Sequence, residues 1–418
     1  MIDIVIVGAG PYGLSIAAHF RRLGLGFRIF GPPMENWLAH MPKGMMLKSD
    51  GFASNLYDPD NTFTLKQFCT LQGIEYSDTD IPVSLETFSA YGLAFKERLV
   101  PELENKMVAG VEQTSQGFLV RLEDGEQIRC RRVVLAVGIS HYEYVPSTLA
   151  HLPAELFSHS FRHHHLDPFR GCRVAVLGGG ASAIGLAGLL RSEGAEVELI
   201  VREKSIKFHS APDGKKPSLW QRIRHPQSGL GPGLRSRFFS DAPLAFHYLP
   251  EKIRLEAVRR SLGPSGHWVS RESVLGRVPL FLGYSTESAT VVSGRVQLNL
   301  RAADGTRRET TVDHVIAGTG YRVDIERLAF LSPELRAQIG VVEGSPVLSP
   351  NFESSVPGLY FVGLSAANSF GPIMRFAFGA GFAARSLSRA VTKSIASTKA
   401  LAVNAGVVPV KQEKPSVL

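Results

Sequence analysis

A glycine-rich turn that directly follows the first apolar run constrains this chain more than any other feature. The turn, Gly8-Ala-Gly10-Pro-Tyr-Gly13, lies between the β-branched run Ile2–Val7 and a helical pattern. Its first glycine permits a tight bend, its second lets a pyrophosphate approach the backbone, and its third lets the helix pack closely on the strand. We therefore predict a dinucleotide site at a helix N-terminus, with contacts from Gly8, Gly10, Pro11, Tyr12 and Gly13.

A second turn of the same kind lies about 170 positions further along the chain. Gly178-Gly-Gly180-Ala-Ser-Ala183 follows the apolar run Arg173–Leu177 and has alanine in the third glycine position. We predict that a second dinucleotide contacts Gly178, Gly180, Ser182 and Ala183. The next strand ends at Val201, and the cations that follow it, Arg202 and Lys204, suit a ribose 2′-phosphate. NADPH is therefore favoured over NADH, with an ordinary solvated basic edge as the alternative interpretation.

Each glycine turn is followed by the same arrangement of strands. A polar hairpin with an Asp-Gly turn precedes an apolar strand ending in glycine at residues 117–138, and the pattern recurs at residues 295–320. The short β-branched runs are typical of buried parallel strands, and helical patterns follow several of them. We therefore predict an α/β fold with two Rossmann-like dinucleotide-binding domains, the second inserted in the first and each with a β-meander.

A third segment, near the carboxyl end, has the features of a helix that faces a flavin. Pro372, in Gly371-Pro-Ile-Met374-Arg-Phe, suits a first helical turn, and small residues then recur at helical spacing. A helix that begins there can direct its positive end at a flavin pyrimidine. Ordinary core packing explains the small residues equally well.

Composition and charge exclude several classes of protein. The chain of 418 residues has a net charge of +8 but no long Lys/Arg block, which favours anionic cofactors over nucleic acid as partners. Its three cysteines, Cys69, Cys130 and Cys172, are spaced for neither a metal site nor a disulfide framework. No metal is expected, and the cluster of His159, His163, His164 and His165 is interpreted as a polar crossover near the cofactors. Without a basic leader or a long apolar run, we expect a cytoplasmic protein with no membrane span.

These features resemble a known group of enzymes. The two turns and Ala317-Gly-Thr-Gly-Tyr321 are similar to the class B flavoprotein monooxygenases, which include flavin-containing monooxygenases and N-hydroxylating monooxygenases. Residues 34–49 and 357–363 resemble the bacterial members. The resemblance implies FAD in the first domain and NADPH in the second. The expected bounds are 1–160 and 308–392 for the FAD domain, 161–307 for the NADPH domain, 203–289 for an insertion shaping the substrate pocket, and 393–418 for a flexible tail.

The resemblance also implies further residues at the site. Asn55 is expected to donate a hydrogen bond in catalysis, with the oxidised nicotinamide as the other candidate donor. An asparagine that merely organises a turn is an equally good interpretation of Asn55. Further cofactor contacts are expected from Trp37, Lys48, Gly138, Gly318, Thr319, Gly320, Tyr321, Gly363, Gly371, Pro372 and Met374.

The implied reaction is the oxygenation of a small organic molecule. NADPH reduces FAD, oxygen adds at the flavin C4a position, and one oxygen atom passes to a nucleophilic nitrogen or sulfur. Two alternatives are an NAD(P)H dehydrogenase that reduces a quinone and a non-catalytic redox sensor. A disulfide reductase needs paired redox cysteines, which this chain lacks. A homodimer is compatible with the sequence.

Overall fold

The computed structural model describes residues 1–208, 220, 224–261, 265–266 and 268–404, with side chains as far as residue 397. The strands in this part of the chain are β1 (Ile2–Val7), β2 (Phe27–Phe30), β3 (Val108–Thr114), β4 (Gly117–Leu122), β5 (Gln127–Leu135), β6 (Phe157–His159), β7 (Arg173–Leu177), β8 (Glu196–Val201), β9 (Lys207–Phe208), β10 (Ser265–Gly266), β11 (Leu280–Leu282), β12 (Tyr284–Val292), β13 (Arg295–Ala302), β14 (Arg307–Val312), β15 (His314–Ala317), β16 (Val341–Val342), β17 (Ser345–Pro346) and β18 (Leu359–Phe361).

Helices connect and cover these strands. The α-helices of the described residues are α1 (Pro11–Arg22), α2 (Leu65–Gln72), α3 (Leu85–Leu99), α4 (Ala181–Ser192), α5 (Leu234–Asp241), α6 (Pro243–His247), α7 (Glu251–Arg260), α8 (Trp268–Val274), α9 (Pro333–Gln338), α10 (Ala367–Phe370) and α11 (Gly379–Asn404). A π-helical turn at Asn36–His40 and a 3₁₀ turn at Pro372–Arg375 are important for the site.

The first sheet contains the amino-terminal strand at its centre. Strand β1 pairs in parallel with β2 and with the carboxyl half of β5, and β18 pairs in parallel with the other edge of β5. The amino half of β5 forms an antiparallel meander with β4 and β3. The β1 side chains of Ile4, Val5 and Ile6 are fully buried, as expected for a parallel strand covered on both faces. Helices α1 and α11 pack against each other beside this sheet.

The second sheet is parallel throughout, in the order β11-β8-β7-β15-β6. A separate antiparallel meander of β12, β13 and β14 accompanies it. The predicted α/β fold, with two dinucleotide-type units and a meander in each, is confirmed. The order of the strands along the chain also shows that the second unit is inserted in the first.

The predicted domain bounds differ from the sheet assignments. Residues 157–159 form β6, and residues 308–317 lie in β14 and β15, yet all three strands belong to the second unit. The second unit therefore runs from about 157 to 317 instead of from 161 to 307. The insertion is also shorter than 203–289, because β11 completes the parallel sheet and β12 begins the meander.

The predicted start of the carboxyl-terminal tail is also corrected. Helix α11 continues to Asn404, and Ile395 is buried within the core of the first unit. The Ser394 hydroxyl accepts a hydrogen bond from Nη2 of Arg132 at 2.8 Å. A packed helix therefore occupies the beginning of the predicted tail, while residues 405–418 lie outside the described part. None of the helices described is both long enough and apolar enough to cross a membrane.

Candidate cofactor and substrate site

The first glycine turn joins β1 to α1 in the geometry expected for a phosphate cradle. Gly8 has a φ of +108°, and a Cβ there would overlap the carbonyl oxygen of Ala136. A Cβ at Gly13 would overlap the carbonyl oxygen of Gly8, so this residue allows the close contact of helix and strand. The nearest atom to a Cβ at Gly10 belongs to the ring of Trp37, at 3.7 Å. We call residues 8–13 the first cradle.

Tyr12 connects the first cradle to the carboxyl-terminal segment. Its hydroxyl lies 3.0 Å from the carbonyl oxygens of both Met374 and Phe376 and donates to them. Its ring contacts the position of a Cβ at Gly363, and a Cβ at Gly379 would overlap its hydroxyl oxygen. Burial raises the pKa of Tyr12 well above its usual value, so the phenol remains a donor at alkaline pH. One residue of the cradle thus positions the whole segment around residues 371–379.

The second cradle, residues 178–183, joins β7 to α4. Gly178 has a φ of +143°, and a Cβ there would overlap the carbonyl oxygen of Gly318. The Cβ of Ala183 would lie 2.6 Å from a Cβ at Gly318. Alanine in the third position is therefore accommodated by a glycine on the neighbouring strand connection. No described heavy atom lies within 4 Å of a Cβ at Gly180, so the open space needed by a pyrophosphate is present.

The end of β8 supplies positive charge beside the second cradle. Arg202 follows Val201 directly, is exposed, and lines the same cavity as Gly180 and Ser182. Lys204 is exposed two residues later. Within the described residues Arg202 and Lys204 form no ion pair. Two unpaired cations at this place would suit a phosphorylated ribose.

A cavity of about 1730 Å³ lies between the two units. One wall is the second cradle, and the opposite wall is formed by the first unit, from Trp37 to Lys48 and at Arg375. Its volume exceeds the roughly 300–1,000 Å³ of an ordinary ligand pocket. The cavity therefore has room for a reacting pair of cofactor rings together with a substrate.

Two half-buried cations line the first-unit wall of this cavity. Burial lowers the pKa of Lys48, and it lowers that of Arg375 to about 10. The Nε atom of Arg375 is buried without a hydrogen-bond partner among the described residues. Desolvated and uncompensated positive charge is costly, so an anionic ligand at this wall would be stabilised.

The insertion covers the carboxyl-terminal segment next to the cavity. The Phe246 ring packs on Gly371, where a Cβ would lie 3.2 Å from it. Arg254 donates from Nη1 to the carbonyl oxygen of Asn368 at 3.0 Å, and the His247 ring stacks on Phe370. Helix α7 itself lines the cavity through Val258 and its neighbours. These contacts exclude solvent from one side of the site.

The two chain segments that cross between the units are tied together at the cavity. The hydroxyl of Thr319 donates to the carbonyl oxygen of Tyr144, and the amide of Tyr144 donates to the carbonyl oxygen of Gly320 at 2.9 Å. The Arg322 guanidinium stacks on the Tyr144 ring at 3.6 Å. The ring of His159 contacts Tyr321 edge-on and bonds to Gly320. His164 also bonds to the carbonyl oxygen of Met41 in the first unit through Nδ1 at 2.6 Å. Within the described part of the chain there is no cluster of metal-ligating side chains.

The structure brings only some of the predicted site residues to the cavity. Those that line it are Trp37, Lys48, Gly178, Gly180, Ser182, Arg202, Gly318, Thr319, Gly320 and Tyr321. Those that lie elsewhere are Gly8, Gly10, Pro11, Tyr12, Gly13, Asn55, Gly138, Ala183, Lys204, Gly363, Gly371, Pro372 and Met374. The second group includes the first cradle and the residues that pack around Tyr12.

Asn55 has a local structural role. Its Nδ2 donates to the carbonyl oxygen of Phe52 at 2.9 Å, and its Oδ1 accepts from the amide of Leu65 at 2.7 Å. Leu65 is the first residue of α2, so Asn55 holds the loop to the start of that helix. The turn-organising interpretation accounts for both hydrogen bonds.

The start of the last helix also differs from the prediction. Pro372 begins a 3₁₀ turn, the backbone is extended at Phe376, and α11 begins only at Gly379. The hydrogen bonds from Tyr12 hold this break. Arg375 was not assigned from the sequence, although it lies within the Gly371–Phe376 motif. The sequence did contain a signal for it, because Arg375 is a charged residue within a segment of apolar and small residues.

The cysteines do not form a redox pair. All three are free, and Cys69 and Cys130 are buried. Burial raises the pKa of the Cys130 thiol to about 12 and also raises that of Cys69, which disfavours the reactive thiolate.

Comparisons with solved structures agree with this fold. The ornithine N-hydroxylase of Kutzneria sp. 744 superposes with a TM-score of 0.73 at 17% identity, covering 94% of this chain and 99% of that one. The L-lysine 6-monooxygenase of Pseudomonas syringae gives 0.73 at 18% identity, covering 94% and 100%. At these identities the likeness shows a shared fold.

Sequence comparisons give the family. A ferredoxin–NADP reductase of Streptococcus pyogenes serotype M28 is 24% identical over 210 residues, covering 50% of this chain and 56% of that protein. The match thus spans little more than half the length of that relative. Residues 5–229, more than half of the chain, match the family described as pyridine nucleotide-disulphide oxidoreductase. Together with the two cradles, this match shows that the chain is a flavin-dependent oxidoreductase that belongs to the pyridine nucleotide-disulphide oxidoreductase family.

Proposed function

We propose that the protein is an FAD-dependent NADPH monooxygenase that adds one oxygen atom to a nucleophilic nitrogen, or sulfur, of a small organic molecule. The observation that carries the proposal is the shared cavity between the second cradle and the first-unit wall. It would bring a nicotinamide donor and a flavin acceptor into one cavity. The structural likeness to the ornithine and lysine monooxygenases supports oxygenation as the outcome.

Residues of both cradles would hold the two cofactors. The open backbone at Gly180 and the exposed hydroxyl of Ser182 suit a pyrophosphate at the start of α4, with Arg202 at the ribose phosphate. The first cradle would hold the FAD pyrophosphate at the start of α1. Bound FAD would supply hydride acceptance and oxygen activation.

The chain's own contribution is positioning and protection. Trp37 and helix α7 bound the cavity, and the packing of Phe246 on Gly371 keeps water from the segment behind it. The cations Lys48 and Arg375 would stabilise negative charge that develops or binds at the first-unit wall. Because both ends of the Asn55 amide bind main-chain groups, we propose the oxidised nicotinamide as the catalytic hydrogen-bond donor.

A reductase that passes electrons to another acceptor is the second candidate. The sequence match to ferredoxin–NADP reductase favours it. The size of the cavity and the insertion beside it favour oxygenation, because a simple electron carrier needs no room for a small substrate next to its cofactors.

The balance of oxygen separates the two candidates. FAD-loaded protein is supplied with NADPH in air, with and without panels of primary amines and sulfides. NADPH consumption, oxygen uptake, hydrogen peroxide and oxygenated product are measured together. A monooxygenase gives one oxygenated product for each NADPH with a true substrate, and peroxide falls correspondingly.

A reductase is recognised when a second, anaerobic assay is run beside the first. NADPH oxidation would then rise with a quinone or ferredoxin under anaerobic conditions, and no amine or sulfide would acquire oxygen. That outcome would exclude the proposed monooxygenase reaction, while the proposed binding of two cofactors would still stand.

A further inference from the structure

The insertion has a solvent-facing surface that the proposed reaction does not use. We call it the insert surface, and it consists of exposed side chains on α5, α6 and α7 and in the segment between α6 and α7. Its apolar members are 67%, 39%, 44%, 70% and 53% exposed, in the order Leu234, Phe238, Leu244, Tyr248 and Ile253. Two of its exposed cations, Arg235 and Lys252, form no ion pair with the described residues, and the Arg235 guanidinium lies 5.3 Å from the centre of the Phe239 ring.

The opposite faces of these helices are already occupied. Phe246 is fully buried against Gly371, and Arg254 is bound to the carbonyl oxygen of Asn368. Ala257 and Val258 are also buried on the inner side of α7. The helices therefore cannot rotate their exposed apolar side chains inward without breaking contacts that cover the cavity.

Exposed apolar side chains are concentrated in this region. Eighteen large apolar side chains are exposed in the described part of the chain, and six of them lie within residues 220–253. Scattered exposed apolar residues need no explanation, but a concentration of this kind on consecutive helices indicates an interaction surface.

Positive charge predominates in the same region of the sequence, and residues 234–260, which contain the insert surface, have six Lys and Arg against three Asp and Glu. Residues 202–279 contain fifteen Lys and Arg against six Asp and Glu, whereas the rest of the chain contains 31 against 32. The net charge of +8 therefore arises entirely from the insertion region. Its partner should be anionic and should also offer an apolar phase to leucine, phenylalanine and isoleucine side chains.

We propose that the insert surface docks on an anionic lipid bilayer. Leucine and aromatic side chains would enter the boundary between headgroups and acyl chains, while arginine and lysine bind lipid phosphates. A nucleic acid would supply negative charge for the arginine and lysine side chains, but it would offer no apolar phase for the exposed leucine and isoleucine side chains. Because α7 also lines the cavity, docking would bring the cavity wall next to the bilayer and favour substrates that partition into lipid.

Vesicle sedimentation tests this proposal without any turnover. The full-length protein is mixed with sucrose-loaded vesicles of phosphatidylglycerol or phosphatidylcholine, at low and high salt. We expect at least about tenfold tighter partition to phosphatidylglycerol at low salt, and a smaller difference at high salt. Equal partition to both lipids, or no binding to either, overturns the proposal.

Variants assign the binding to this surface. A triple L234S, L244S, I253S variant should lose about a thousandfold in partition, since each apolar side chain contributes roughly tenfold. Replacing both cations, in R235Q and K252Q together, should cost roughly twentyfold on phosphatidylglycerol only. The matched control is L71S, because Leu71 in α2 is 66% exposed but lies in the first unit. Thermal melting confirms that each variant is folded.

A soluble acidic partner is the competing outcome. If polyglutamate binds as tightly as phosphatidylglycerol vesicles, and the triple variant binds both as the wild type does, the surface recognises acidic protein and the lipid proposal is wrong. Because no cofactor reaction is measured, failure here leaves the proposed monooxygenase activity untouched. Conversely, a protein that binds vesicles but oxygenates no substrate would contradict the proposed function and leave the lipid proposal standing.

Discussion

Replacing Gly318 by alanine should disrupt the second cradle through one identifiable overlap. The new Cβ would lie 2.6 Å from the Cβ of Ala183, 3.0 Å from its Cα and 3.3 Å from the carbonyl oxygen of Leu177. Carbon atoms pack at about 3.5–4.0 Å, so the strand connection and α4 must separate by about 1 Å. Gly318 does not have a positive φ, so the backbone itself accepts alanine. The expected cost is about 1–3 kcal/mol, which is typical of overpacking.

A second substitution makes this prediction specific. Ala183→Gly alone removes a fully buried methyl group and some helix propensity, which should cost about 1–2 kcal/mol. Combined with Gly318→Ala, it empties the space that the new methyl needs. The double variant should therefore be more stable than the sum of the single effects by about 1–2 kcal/mol. Rescue is partial because the Leu177 contact remains.

Urea denaturation of the four proteins measures the coupling, and titration with NADPH shows whether the cradle recovers with the fold. Strict additivity, within about 0.5 kcal/mol, would refute the steric reasoning. Gly180→Ala is the control in which a methyl group enters only the space proposed for NADPH, because a Cβ there meets no described atom within 4 Å. It should keep stability within about 1 kcal/mol and still lose NADPH affinity.

Three further predictions concern single residues. Tyr12→Phe should lower the free energy of unfolding by about 1–3 kcal/mol, because the carbonyl oxygens of Met374 and Phe376 lose their hydrogen-bond donor. Urea denaturation measures this change, and an unchanged midpoint would mean that the donor contributes nothing to stability. Arg202→Ala should weaken NADPH binding about 10–100-fold while NADH binding stays nearly constant, and equal loss for both would assign this arginine to general binding. Burial lowers the pKa of His163 to about 4 from 6.5, so the unfolded state binds more protons between these values. Stability should therefore fall as pH drops through this window, by up to about 1.4 kcal/mol per pH unit, and His163→Gln should flatten the profile measured by urea denaturation from pH 7 to 4.

The parts of the fold that the sequence predicted depend on local chemistry. Gly8, Gly13 and Gly178 adopt conformations or contacts that a side chain would prevent, so their spacing alone locates both cradles. The β-branched runs at β1 and β7 likewise need no tertiary information. The Asp-Gly turns predicted the antiparallel hairpins β4–β5 and β13–β14 for the same reason.

The parts that the sequence did not predict depend on distant partners. The break before α11 exists because Tyr12 binds the carbonyl oxygens of Met374 and Phe376, more than 360 positions away. Asn55 turns toward α2 instead of toward the cavity because the amide of Leu65 needs an acceptor. Strand β15 joins the second sheet by pairing with β6 and β7, which no local pattern specifies.

In the proposed enzyme the two cradles bring NADPH and FAD together at the cavity between the units. Anaerobic titration of the flavin-loaded protein with NADPH, followed at the flavin absorption band, tests it directly. We expect full bleaching at one equivalent of NADPH for the wild type. At the same concentrations we expect little bleaching for Gly180→Ala with its flavin still bound. Protein that binds no flavin, or a flavin that NADPH leaves oxidised, would rule this arrangement out.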